Sequence, residues 1–137
     1  MAKFGIEMPD EFVKKLERLD DYDRIAKKML NTGAQILVGT TKHEIARLDE
    51  YSQSGSLRDS IVAGKPRKNE IGYFVPVGPK TGSKDKNGTR NGEKLAYMEY
   101  GTSKMDPHPV LERAKMAAEN RVIYLMQEVF DEEAGAK

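Results

Sequence analysis

Apolar and small side chains recur every three or four positions in two long stretches of the chain, and these set the expected architecture. From Asp21 onward, Ala26, Leu30, Ala34, Leu37, Thr41, Ile45 and Leu48 step by four, four, three, four, four and three residues, which is one stripe of an amphipathic helix. Further along, Leu111, Ala114, Ala118, Val122, Leu125 and Val129 step by three, four, four, three and four. Burying the four large side chains of that seam is worth about 6 to 12 kcal/mol before entropy costs, enough to dock a helix on a sheet. Pro107 or Pro109 suits its first position, with Asp106 or His108 as the cap.

Shorter patterns fill the rest. Residues 4–7 suit a strand, and Pro9, Asp10 and Glu11 open a short helix that carries Phe12, Val13, Leu16 and Leu19. Gly33 and Gly39 lie inside the long helix, as a bend, a close crossing or a tolerated weak spot. After a break at 52–56, residues 57–63 alternate as a strand does, and 64–69 form a basic turn. A second strand is expected at 71–77, where Pro76 marks an edge, a bulge or an end, and a third at 95–100, closed by Gly101. The order predicts an α+β fold: a long N-terminal helical region (1–51), a small antiparallel β-sheet with a mobile loop (52–105), and a C-terminal helix packed on the sheet (106–133). A length of 137 residues fits a single domain over 1–137.

Composition narrows the chemistry. Lys and Arg number 23 against 22 Asp and Glu, a net charge of +1, so no global field draws the protein to nucleic acid or to an anionic membrane. Positive charge is instead local, at 65–68 and at 80–94, where five cations face two anions. The 80–94 segment has no apolar side chain beyond threonine methyls, so burial cannot order it, and mobility in the free protein is expected. Zero cysteines exclude disulfides, thiolate catalysis and cysteine-bound zinc. The first residues lack the apolar run of a signal peptide and nothing approaches a membrane span, which points to folding in the cytoplasm. Asn87-Gly88-Thr89 then reads as a turn.

Catalytic motifs are broken wherever they begin. His43-Glu44 starts a H-E-x-x-H pattern, but position 47 is Arg, and His108 stands on a different element. Ser54 is not framed as a nucleophile, and the phosphate-loop spacing after Gly78 fails because residue 83 is Ser. No catalytic, cofactor-binding or metal-binding residue is expected, and the chain does not read as an enzyme.

Two segments carry a resemblance. Ser54-Gly55-Ser56-Leu57-Arg58-Asp59-Ser60-Ile61 is followed by Ala96-Tyr97-Met98-Glu99-Tyr100-Gly101-Thr102-Ser103-Lys104-Met105, with Pro107 and Pro109 beyond. Together they resemble the small tail-component, or neck and tail-completion, proteins of long-tailed bacteriophages, similar to gene product ten of a lambdoid phage. Ser54 stands where that pattern has threonine, Tyr100 where it has phenylalanine, and Val110 where it has an aromatic residue. The resemblance implies a structural virion protein with no cofactor, part of an oligomeric ring at the head-tail junction or upper tail. Its implied partners are further copies of itself and neighbouring connector or tail proteins, with possible contact to passing DNA and no membrane.

The residues have a physical reading of their own. Gly55 permits a sharp turn, Leu57 and Ile61 share a face, and Ser60 belongs to the same motif. Gly101 ends a strand, and Thr102 and Ser103 bond nearby backbone to turn the chain. Glu99 alternates with Met98 and Tyr100, which points it opposite to them, toward solvent or a neighbouring subunit, and Tyr97 belongs to the same motif. Lys80, Lys84, Lys86, Arg90 and Lys94 are candidate subunit or DNA contacts. The acids at 128 and 131–133 oppose the helix dipole, so this tip either frays or meets a basic neighbour, and it could pair with the basic loop between subunits. The alternative reading is a nucleic-acid-binding accessory protein using loops 65–68 and 80–94.

Overall fold

The computed structural model describes residues 4–48, 55–68 and 72–135. Two long helices dominate it: α2 (Tyr22–Ala46) and α5 (Val110–Phe130) pack mainly on each other. The α2 stripe is buried as its spacing predicts, with Ala26, Leu30, Ala34, Leu37, Thr41 and Ile45 inside and Leu48 at the margin. In α5 the seam runs through Leu111, Ala114, Ala118, Val122, Met126 and Val129, so Met126 takes the core position expected of Leu125. Gly33 is the close crossing: a Cβ there would sit 3.0 Å from the Val122 Cγ1 atom, whereas one on Gly39 would meet nothing within 4 Å.

The sheet lies against α2. Strands β1 (Gly5–Glu7), β2 (Ile61–Ala63), β3 (Arg67–Lys68) and β4 (Tyr73–Pro79) are all antiparallel, and β4 pairs with each of the others. Ile6 stands opposite Val75 on one edge, while Val62 opposite Gly78 and Arg67 opposite Phe74 share the other. Pro76 sits in the middle of β4, where that second edge is broken between β2 and β3 and only Gly64 N donates to Pro76 O at 2.8 Å. Tyr73, Val75 and Val77 point into the core at the strand period of two. Short helix α1 (Asp10–Leu16) adds Phe12 and Leu16 to the core, and the Phe12 ring stacks on Phe130, centroids 6.5 Å apart.

Three expectations change. The C-terminal helix rests chiefly on α2 and not on the sheet, because α2 is long enough to cover both. Residues Ser56–Ser60 form a short helix, α3, before β2 begins at Ile61, so Leu57 and Ser60 are helical. The expected third strand at 95–100 is the end of helix α4 (Asn91–Tyr100). Asn91, Leu95 and Met98 are its buried positions, at i, i+4 and i+7, and this helical spacing prevails over the alternation visible from Leu95 onward. The fold class is α+β as expected. Residues 49–54, which hold the end of the expected helical region and most of the break with Ser54, and 69–71, which hold the end of the basic turn and the start of the second strand at Ile71, lie outside the described residues.

Candidate functional site

The two resemblance segments meet in space, since α3 packs against α4. Gly55 precedes α3 at φ 72°, where a side chain would be strained, and Leu57 is buried beneath it. The Ser60 hydroxyl donates to the Leu57 carbonyl at 2.6 Å. Buried Asn91 ties α3 to the loop before α4: its amide nitrogen donates to the Ser83 hydroxyl at 3.2 Å, its side chain bonds Ser56 at 3.4 Å, and its backbone N–H reaches the Ser83 carbonyl at 3.0 Å.

At the far end of α4 the chain turns a locked corner. Gly101 closes the helix at φ 77°, and a Cβ there would lie 2.8 Å from the Met105 carbonyl and 2.9 Å from the Pro107 nitrogen. Thr102 N donates to Met105 O at 2.9 Å, and the Thr102 hydroxyl accepts from Lys104 N at 3.1 Å, while Ser103 remains exposed. His108 N then donates to Met98 O at 2.6 Å, which brings Pro107 and Pro109 back over α4. Glu99 does not point to solvent or to a neighbouring subunit, as its alternation with Met98 and Tyr100 suggested. Its carboxylate accepts from Leu111 N at 2.8 Å and Glu112 N at 3.3 Å, so it caps α5 in place of Asp106 or His108. A negative group there also meets the positive end of the α5 dipole. The corner leaves Tyr97 and Tyr100 on the outer face of α4, Tyr100 64% exposed, and Met116 and Tyr124 are similarly exposed on α5.

The basic segment is organised by polar contacts. The Asp85 carboxylate accepts from Asn87 N at 2.9 Å and Thr89 N at 3.0 Å and pairs with Lys94 at 2.7 Å. These partners, Lys94 foremost, hold the Asp85 carboxyl below the usual carboxylate range. The backbones of Lys84 and Arg90 pair as an isolated antiparallel bridge, and Lys80 N donates to Ser60 O at 2.7 Å. Ordering here comes from hydrogen bonds and not from burial, which the lack of apolar residues concealed. Lys80, Lys84, Lys86 and Arg90 stay exposed, whereas Lys94 is half-buried and committed to Asp85.

The other basic stretch stands apart. Lys68 lies over the Tyr22 and Tyr73 rings, 4.9 and 5.5 Å from their centroids, and donates to the Tyr22 hydroxyl at 3.2 Å. That bond, with the neighbouring tyrosines, raises the Lys68 pKa. Below it, the Tyr73 hydroxyl donates to Asp23 at 3.3 Å; burial is the main reason its pKa is raised. Arg67 and Lys68 flank the start of β4 and Lys80 follows its end, about 20 Å away for a seven-residue strand. The acidic tip finds its basic neighbour inside the chain: Glu133 accepts from Lys28 and, at 3.3 Å, from Arg24. Lys28 first, and Arg24 with it, lower the Glu133 pKa.

His43 is exposed on α2, and among the described residues no three acidic or histidine side chains gather as metal ligands. No helix among them is long and apolar enough to cross a membrane.

The two motif segments thus build one locked corner of an α+β domain, with Tyr97 and Tyr100 exposed beside it. The family model for bacteriophage HK97-gp10, the tail-component family, matches residues 10–101, and the chain belongs to that HK97-gp10-like family. It is a structural tail component of a phage particle. The match contains Gly55, Leu57, Ser60, Tyr97, Glu99, Tyr100 and Gly101 and stops before Thr102, Ser103, Pro107 and Pro109. No curated protein and no solved structure matches the chain.

Proposed function

We propose that this tail component works as one subunit of an oligomeric ring, in the neck or tail-completion region where head and tail join. Family membership supports the tail. The observation that carries the ring is the α4 corner: Gly101, the Glu99 cap and the His108 to Met98 bond fix α4 while Tyr97 and Tyr100 remain in solvent. Aromatic side chains on a rigid support lose little conformational entropy when a neighbour covers them. Chemistry is not part of this role, and the partners are other copies of the chain together with adjoining connector or tail proteins. Tyr97→Ser with Tyr100→Ser tests the reading. The variant is expected to fold normally, with particles arrested as separate heads and tails by electron microscopy. Normal particles from the double variant would refute the role given to α4.

A further inference from the structure

A groove of about 610 Å³ lies between β1 and α5, at the end of the molecule where β4 begins. Ile6, Met8, Val122 and Met126 give it an apolar floor, and Ile123 stands half out of it on α5. Its lips are charged: Glu7 and Asp10 on one side, Glu119 and Lys115 on the other, three acids to one base and all exposed. At the opposite end of β4, Pro79 leads into the loop that presents Lys80, Lys84, Lys86 and Arg90; of its two acids, Asp85 is occupied by Lys94 and Glu93 is exposed beside Lys80 and Arg90, which leaves the surface net positive. Within the acidic C-terminal tip, Glu133 is engaged by Arg24 and Lys28, while Asp131 and Glu132 stay exposed away from the groove.

We infer that the basic loop of one copy seats on the acid-lipped groove of the next, the lysine and arginine stems covering the apolar floor while their heads meet Glu7, Asp10 and Glu119. This rests on the ring reading above and names its interface. Two complementary surfaces at opposite ends of one strand cannot satisfy each other within a molecule, and between molecules they give a head-to-tail contact. Such a contact repeats around a closed ring. A long charged side chain can cover apolar surface with its methylenes and keep its head on a carboxylate at the rim, so a loop without apolar residues suits this groove. Charge complementarity of this kind also sets register and speeds encounter.

A charge exchange tests it, with the full chain followed by sedimentation velocity at several salt concentrations and by cross-linking in intact particles. Lys86→Glu with Arg90→Glu, and separately Glu7→Lys with Glu119→Lys, are each expected to weaken self-association about tenfold or more and to remove its salt dependence. All four together are expected to restore it. All altered positions are exposed, and circular dichroism confirms that each variant is folded. Association that ignores both reversals, or is not restored by the exchange, overturns the loop-to-groove contact and leaves the ring standing. Loop reversal that abolishes binding to a duplex DNA probe while association persists assigns the loop to DNA and overturns it as well. A wild-type chain that stays monomeric and gives no copy-to-copy cross-link in particles removes the ring, and the contact falls with it.

Discussion

The α2–α5 pair and the loop-plus-α4 region are ordered by opposite means. In the first, Leu30, Met29 and Met126 are sealed from water, and the two helices approach closely where Gly33 faces Val122. In the second, the loop has almost nothing to bury, and its shape comes from one carboxylate, Asp85, one buried amide, Asn91, and two positive-φ glycines, Gly82 and Gly88. Apolar packing is spread over many interchangeable contacts, whereas a polar loop hangs on a few directional ones. The first should therefore respond to lost volume and the second to lost donors, acceptors and backbone freedom.

The largest effect is expected in the helix pair. Leu30→Ala leaves a cavity in a fully buried site and should destabilise the fold by about 2 to 5 kcal/mol in urea unfolding. Gly101→Ala follows at about 1 to 3 kcal/mol, because the new methyl meets Met105 and Pro107 at a backbone angle that disfavours it. An unchanged urea midpoint for this variant would mean that the corner is not locked. Glu99→Ala removes the acceptor from the first turn of α5 and should cost about 0.5 to 2 kcal/mol, with faster amide exchange at Leu111 and Glu112.

Asp85→Ala is expected to move global stability least while speeding exchange at Asn87 and Thr89, which separates local from global order. The acid response has a definite sign. Asp85 and Glu133 are both held below their ordinary pKa values by cationic partners, so their ionised forms favour the folded state. That contribution is complete above the ordinary carboxylate range and is lost as pH falls below about 4 toward the lowered values. An acid titration followed by the amide signals of Asn87 and Thr89 should show it, and Asp85→Ala should abolish the loop's share.

Legibility in the sequence follows the same division. The α2 stripe and most of the α5 seam were readable because a helix that buries one face repeats every three to four residues, and the family resemblance was carried by the motif residues themselves. Helix α4 was not: Leu95 to Tyr100 also alternates, and Asn91, the residue that reveals the helical face, lies within a run of polar side chains. Glu99 was misdirected because its partners are twelve and thirteen residues away, beyond any local period. The Glu133 clamp joins residues 105 and 109 positions apart, so sequence could offer a basic neighbour only as one of two outcomes. The five basic candidates could be counted in the sequence, but that Lys94 is bound to Asp85 could not.

The sheet has a hub. Among the described residues β1, β2 and β3 each bond to β4 and none pairs with another, so every ladder shares one rung-holder. Within the sheet, tension applied at one margin crosses that ribbon to reach the opposite margin. Pro76, lacking an N–H at its centre, leaves it a built-in point of yield. A pull entering beside the start of β4 and leaving past its end would run along this single strand of seven residues.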